Sequence, residues 1–326
     1  MPKVALITGI SGMDGSHLAD LLLQKGYEVH GIIRRHSATN LWRIHNILDK
    51  VKLHTGDLLD QTSLSNILSE VQPTEIYNMA AQSFVKASFD IPIYTSEATG
   101  IGAVKLYEAA RCCCVPDVRI FQASSSEMFG NVGGFLSETS PMSPVSPYGA
   151  AKLFAHHMAD VYRKSYGMFI SCGISFNHES ERRGQEFVTR KITLGASRIK
   201  AGFQDKLELG ALDTLRDWSY APDVVQGAWL TLQHDKSDDY VFASGNAHSV
   251  REFAQVAFRV LGLDYQDYVI SNTESNLRPA EIDCLKGDST KARTRLNWQP
   301  TLPFADLVQR MVAYDLSAAL VHNRSM

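Results

Sequence analysis

The chain has 326 residues, enough for one large domain or two closely packed ones. Apolar residues make up 44% and charged residues 21%, and the formal net charge of −3 argues against a general binder of nucleic acid or of anionic membranes. No apolar run is long enough to span a bilayer, and residues 1–9 read as a strand and turn rather than a secretory leader, so a cytosolic protein is expected.

In chain order, residues 3–8 form a short apolar strand, followed by a glycine-rich turn. Residues 17–25 place Leu18, Leu21 and Leu22 at helical spacing, and Gly26 ends that helix. Residues 28–33 and 51–54 read as the second and third strands, and 62–71 as a helix capped by Gln61 or Thr62. A fourth strand at 75–79, a long helix at 95–111, a fifth strand at 119–123, a helix within 146–166 and a sixth strand at 169–176 continue the alternation. Strands alternating with helices imply parallel neighbours joined by right-handed crossovers. The expected fold class is therefore α/β, a doubly wound parallel sheet of the Rossmann type.

After Asn177 the pattern loosens. Residues 187–200, 221–233, 250–261 and 304–320 look helical, and 206–209 and 240–243 look like short strands. The expected division gives 1–177 to a dinucleotide-binding domain, to which 211–245 returns in part, and 178–210 with 246–326 to a smaller, discontinuous substrate domain. The five cysteines are Cys112, Cys113, Cys114, Cys172 and Cys284. Their odd number, the adjacent triplet and the lack of a Cys-x-x-Cys pair make a disulfide framework or a zinc site unexpected, and all five are read as reduced thiols.

Between the first strand and first helix lies Thr8-Gly9-Ile10-Ser11-Gly12-Met13-Asp14-Gly15. Glycines at 9, 12 and 15 allow a tight turn, close approach of a pyrophosphate and close packing of the helix, whose N-terminus then faces the phosphates. Met13 and Asp14 belong to the same candidate cofactor site. The second strand runs into Arg34 and Arg35 where an NAD enzyme would carry an acid. Two guanidiniums suit a ribose 2′-phosphate and point to NADP; a solvated basic pair at a subunit contact would leave the same sequence. Asp57 and Leu58 follow the third strand. Ala80, Ala81 and Ser83 follow the fourth, and Tyr94 precedes the long helix.

Tyr148 and Lys152 are one helical turn apart, so an ammonium can lower the pKa of a neighbouring phenol and make it a base near neutral pH. An ordinary helix pair has the same spacing. The glycine turn upstream and the placement after the fifth strand favour the catalytic reading. The fifth strand runs into Ser125, placed to bond a sugar hydroxyl beside Tyr148, and then Glu127, a carboxylate that simple ketone reduction or 4-epimerisation does not need. It is needed where a proton must leave carbon next to a new carbonyl; otherwise it is a solvated loop acid.

With these residues in place, the chain resembles the extended short-chain dehydrogenases, specifically the GDP-mannose 4,6-dehydratase family, over nearly its whole length. The likeness is carried by residues 9–16, 80–83, 122–130 and 146–152, and most specifically by Asn177-His178-Glu179-Ser180, Phe187-Val188-Thr189-Arg190-Lys191 and Arg278-Pro279-Ala280-Glu281. It implies a redox-neutral cycle on GDP-mannose. Tyr148 deprotonates the 4-hydroxyl while hydride leaves C4 for NADP, Glu127 removes the C5 proton as water leaves C6, and hydride returns to C6. It also implies that Asn177, Ser83, Lys191 and Arg216 hold the sugar nucleotide, that Leu209 and Gly210 flank the base, and that Arg278 and Glu281 bind the far side of GDP. A carboxylate at 281 matches the N1–H and 2-amino group of guanine. His178 and Arg183 match cofactor-reaching positions, and residues 34–43 match a loop at a subunit contact, so a homo-oligomeric dimer or tetramer is implied.

Three departures from the family pattern are visible. Ser125 replaces a threonine and keeps its hydroxyl, Met13 replaces a glutamine, and Glu181 replaces a proline and adds charge near the expected substrate mouth. They leave room for a related GDP-sugar such as a GDP-heptose. Two other readings remain open: a nucleotide-sugar epimerase, decarboxylase or 4-keto reductase on the same fold, and a non-catalytic NADP-sensing regulator, in which the tyrosine–lysine pair is typically lost.

Overall fold

The computed structural model describes residues 3–35, 37, 40–113 and 117–323. Cys114 and residues 36, 38 and 39 of the expected subunit-contact loop lie outside them. The first half of the chain alternates as β1 (Val4–Thr8), α1 (Met13–Gln24), β2 (Glu28–Ile33), β3 (Val51–Thr55), α2 (Gln61–Val71) and β4 (Glu75–Asn78). It continues through α3 (Val85–Asp90), α4 (Pro92–Thr95), α5 (Gly102–Cys113), β5 (Arg119–Ser125), α6 (Pro147–Tyr166) and β6 (Phe169–Ser175). Beyond come β7 (Asn177–Glu179), α7 (Val188–Lys200), β8 (Leu207–Glu208), β9 (Leu215–Tyr220), α8 (Ala221–Gln233) and β10 (Asp239–Phe242). The last elements are β11 (Ala247–Ser249), α9 (Val250–Val260), β12 (Val269–Ile270), β13 (Cys284–Leu285), α10 (Thr290–Leu296) and α11 (Phe304–Asn323).

Seven strands form one parallel sheet in the order β3-β2-β1-β4-β5-β6-β10. Successive strand side chains point to opposite faces, and β1 shows the result. Ala5 and Ile7 pack with Leu18 and Leu22 of α1 and Val224 of α8, whereas Leu6 packs with Leu64 of α2 and Leu106 of α5. Strand order reverses between β1 and β4, which opens a crevice at their carboxyl ends. A third apolar cluster joins Ile192 of α7, Phe253 of α9 and Met311 of α11 under Trp218 of β9. Around β9, β11 pairs antiparallel and β7 and β13 pair parallel.

Two expected elements differ. The helix at 61–71 is capped by Asp60, whose carboxylate accepts from the Thr62 N–H at 3.0 Å, so neither Gln61 nor Thr62 is the cap. The long helix expected at 95–111 is not uniform: Ser96–Ile101 winds as a π-helix between α4 and α5. A Cβ on Gly100 would sit 3.3 Å from the Ala151 carbonyl oxygen of α6, and one on Gly102 would sit 2.8 Å from Leu58. The glycines let this segment lie close to both neighbours, and the wider π turn accommodates that contact.

Candidate active site

At the end of β1 the chain must reverse to enter α1. Gly9 takes a φ of 70°, a left-handed conformation that favours glycine, and Gly12 N–H donates to its carbonyl at 2.9 Å. A Cβ on Gly15 would overlap that same carbonyl oxygen. The turn therefore lies flat on the helix it starts. No side chain caps α1, so its leading N–H groups and positive dipole end are left for a ligand.

They face a cavity of about 530 Å³. Gly9, Gly12, Met13, Asp14 and Gly15 line one wall; Ala80, Ala81 and Ser83, across the switch point, line the opposite one. Arg34, Asp57, Leu58 and Tyr94 line the outer end. Ser125, Glu127, Tyr148 and Lys152 line the inner end together with Asn177, His178, Arg183 and Arg278.

The arginine pair expected to act together is split. Arg34 faces the cavity and bonds the Tyr94 hydroxyl, whereas Arg35 is exposed and outside the lining. A second guanidinium in the cavity wall comes instead from Arg43, which sequence reasoning did not single out. Arg43 lines the cavity, donates to the Ser11 carbonyl at 3.3 Å and to the Arg182 carbonyl at 2.6 Å, and has its pKa drawn down by burial. The one signal for it was a third arginine in the same loop, beside Trp42, over whose ring it stacks at 4.5 Å.

Asp14 and His178 form a half-buried pair, Nε2 to Oδ2 at 3.0 Å, with His178 Nδ1 bonded to the Phe176 carbonyl at 2.8 Å. Burial pulls the imidazole pKa down, but Asp14 outweighs it and leaves it raised. Burial likewise pushes Asp14 up, and His178 with Arg183 brings it below the usual carboxylate value. Asp14 Oδ1 is buried beside the cavity with no partner. An unpaired acceptor, a glycine cradle and a helix N-terminus together fit a dinucleotide diphosphate with its ribose hydroxyls.

At the inner end, Ser146 caps α6 by accepting from the Gly149 N–H at 3.0 Å, which sets Tyr148 on the first turn and Lys152 on the next. Lys152 Nζ donates to the Ala123 carbonyl at 2.6 Å and lies 5.8 Å from the Tyr148 ring centre. Burial lowers the lysine pKa to about 8, with Asp14 opposing. The expected depression of the phenol is not what the structure shows. Burial raises the Tyr148 pKa, and the hydrogen bond with Ser125 only partly offsets it. Spacing along the helix revealed the neighbour but not the dielectric. Glu127 is 7% exposed; its N–H donates to Ser125 Oγ at 3.2 Å, and its carboxylate lies 3.5 Å from Arg278 Nη1.

The other residues expected to hold substrate lie outside this cavity's lining, in two groups. Lys191 Nζ bonds Asn276 Oδ1 at 2.8 Å, and a Cβ on Gly210, next to buried Leu209, would sit 2.7 Å from the Asn276 carbonyl oxygen. Arg216 Nη2 pairs with Glu281 at 2.7 Å, and Glu281 also lies 3.5 Å from Arg278. Burial lowers the Arg216 pKa against the pull of Glu127 and Glu281. Arg278 thus links this second group to Glu127. Glu181 adds no free charge at the mouth, because its carboxylate is paired with Arg310 of α11 at 2.8 Å.

A family model described as GDP-mannose 4,6 dehydratase matches residues 6–311. GDP-mannose 4,6 dehydratase 2 of Arabidopsis thaliana is 49% identical over 97% of this chain and 88% of its own length. The GDP-mannose 4,6 dehydratase of Homo sapiens is 45% identical over 96% and 91%. Among solved structures, UDP-glucose 4-epimerase of Thermus thermophilus in complex with NAD superposes with a TM-score of 0.85 at 25% identity, covering 97% of this chain and 99% of that one. DesIV of Streptomyces venezuelae, a dTDP-glucose 4,6-dehydratase with NAD and TYD bound, gives a TM-score of 0.85 over 99% and 98% at 23% identity, a likeness of fold alone.

Proposed function

The chain belongs to the GDP-mannose 4,6-dehydratase family, and from that premise we propose that it removes water from GDP-mannose to give GDP-4-keto-6-deoxymannose with the help of NADP. The observation that carries the proposal is that Ser125, Glu127, Tyr148 and Lys152 line one cavity with the glycine turn. A carboxylate and a phenol there share a space with a dinucleotide cradle, which is what oxidation at C4 followed by proton removal at C5 requires.

When bound, the nicotinamide supplies a reversible two-electron acceptor for the sugar. The protein's own groups move the protons. Tyr148 takes the 4-hydroxyl proton, Ser125 orients that hydroxyl, and the Lys152 ammonium, anchored on the Ala123 carbonyl 5.8 Å from the Tyr148 ring centre, supplies a positive charge beside a forming phenolate. Glu127 then accepts the C5 proton, made acidic by the adjacent ketone, and delivers it to the departing C6 hydroxyl, which leaves as water; the proton held by Tyr148 is returned to C5 as C6 is reduced. Arg34 and Arg43 at the outer end support NADP over NAD, since no acid stands at the end of β2 to take a ribose 2′-hydroxyl.

The test is incubation with GDP-mannose and a catalytic amount of NADP. The expected product is lighter by one water, shows the alkaline absorbance of a 4-keto-6-deoxy sugar, and forms without net accumulation of reduced cofactor. Intact GDP-mannose alongside turnover of a UDP- or dTDP-sugar would overturn the substrate assignment. Stoichiometric reduction of NADP would overturn the redox-neutral cycle, and equal affinity for NAD would remove the role given to Arg34.

A further inference from the structure

Three consecutive residues of β5 lie against three successive turns of α6. The Ala123 carbonyl accepts from Lys152 at 2.6 Å, the Ser124 hydroxyl meets His156 Nδ1 at 3.0 Å, and Ser125 shares the cavity wall with Tyr148. Tyr148, Lys152 and His156 are four residues apart and share one helix face. The Lys152 contact and the Ser125–Tyr148 neighbourhood belong to the chemistry already proposed; the His156 contact does not.

The His156 contact is anchored on every side. The ring is 5% exposed, and its Nε2 lies 3.6 Å from the carboxylate of Asp239 on β10. Arg163 holds the other oxygen of Asp239 at 2.7 Å. Cys172 of β6, fully buried, has its Sγ within 4.8 Å of the His156 ring nitrogen and the Asp239 carboxylate. Ser124, His156, Asp239 and Cys172 therefore form one polar cluster that joins β5, α6, β10 and β6. Burial outweighs Asp239 and keeps the imidazole pKa below its ordinary value, with Arg163, His157 and Asp160 the other charges or titratable groups facing it. A neutral imidazole has one donor and one acceptor nitrogen, one for each neighbour.

We propose that His156 is a positioning residue for the dehydration: through Ser124 it fixes the end of β5 against α6, and so sets Ser125 against Tyr148 and Ala123 against Lys152. Strand and helix are separated in sequence by residues 126–146, so only cross-contacts hold their ends in register. Ser125 and Tyr148 must make room for a sugar hydroxyl during turnover, whereas the Ser124–His156 bond touches no reacting group and can persist. Ser124 also forms part of the cavity wall, so a shift there is felt in the site. His156, Cys172 and Asp239 also have the spacing of metal ligands. Asp239 there is already paired with the Arg163 guanidinium at 2.7 Å.

The proposal rests on the dehydratase reading for its kinetic test only. His156→Leu removes both ring contacts, while His156→Asn places an amide where Nδ1 stood. The expected result is about a tenfold fall in kcat for His156→Leu with KM held within about twofold. Recovery of most of that loss in His156→Asn is expected, with little further loss when Ser124→Ala is added to His156→Leu. Amide exchange across residues 119–128, measured without substrate, should quicken in His156→Leu and slow again in His156→Asn. Unchanged kcat in His156→Leu would overturn the proposal. So would equal loss in His156→Leu and His156→Asn tracking a common fall in Tm, or stabilisation of the wild type by added Zn²⁺ that both variants lose. A wild type that leaves GDP-mannose untouched would sink the functional reading instead, and the exchange result would then decide the role of His156 alone.

Discussion

The two ends of the site are built from different materials. On the dinucleotide side the shape is backbone: Gly9, Gly12 and Gly15 press the turn onto α1 so tightly that a methyl at 15 has no room. On the side assigned to the sugar nucleotide the surface is made of side chains turned on one another, Lys191 on Asn276, Arg216 on Glu281, and Arg278 between Glu281 and Glu127. A backbone cradle exists before its ligand arrives. Paired charges must exchange partners on binding, at a desolvation cost that the right ligand repays and a wrong one does not. On the proposed reading, one end would set whether a dinucleotide binds, and the other would discriminate among glycosyl nucleotides.

The sharpest way to probe that contrast is at Glu127, where the halves meet. Glu127→Gln should lower dehydration by on the order of 10²–10⁴-fold while calorimetric affinities for NADP and GDP-mannose barely move. A rate close to wild type would take Glu127 out of the chemistry. Gly15→Ala strikes the cradle alone: overpacking of about 1–3 kcal/mol should weaken NADP binding by roughly ten- to a hundredfold, with GDP affinity unaltered. Equal weakening of both ligands would erase the distinction. Lys191→Met strikes the other end. Losing one charged hydrogen bond should raise the KM for GDP-mannose roughly tenfold and leave cofactor affinity alone; an unchanged KM would remove Lys191 from the substrate side.

The smallest effect is expected at the seam, where His17 of α1 meets Ser180 at 2.9 Å. Burial, helped by Arg182, lowers the His17 pKa from 6.5 to about 4. The unfolded chain therefore binds this proton first as pH falls. The stability His17 contributes is complete above pH 6.5 and is lost progressively toward about pH 4. His17→Gln should flatten that limb of a pH–stability curve and change turnover at neutral pH not at all. A limb of undiminished slope in the variant would assign it to another group.

What could be read in the sequence was local. The glycine turn, the Tyr148–Lys152 spacing and the strand–helix alternation each depend on residues a few positions apart, and the parallel sheet followed from them. The π winding at Ser96–Ile101 did not, because its cause is the approach of α6 and Leu58, neither adjacent in sequence. Arg43 was missed because its partners, the Ser11 and Arg182 carbonyls, lie far from it along the chain in both directions. The phenol at 148 was misjudged for a related reason: periodicity places an ammonium near it, but burial is a property of the whole packed fold. His156 carried no signal at all, since its neighbours Asp239 and Cys172 reach it only once the sheet is assembled.

The place of β10 in the sheet has a consequence for synthesis on the ribosome. β6, with buried Ile170, Cys172 and Ile174, pairs on one flank with β5 and on the other only with β10. Every nascent polypeptide therefore carries an open, sticky strand from the moment residue 175 emerges until residues 239–242 follow. During that interval β7, α7, β9 and α8 are made, and the bare flank is a template for pairing with a neighbouring polypeptide. Pairing with β10 is what closes that flank, so the last short strand of the sheet is also the one that removes this template.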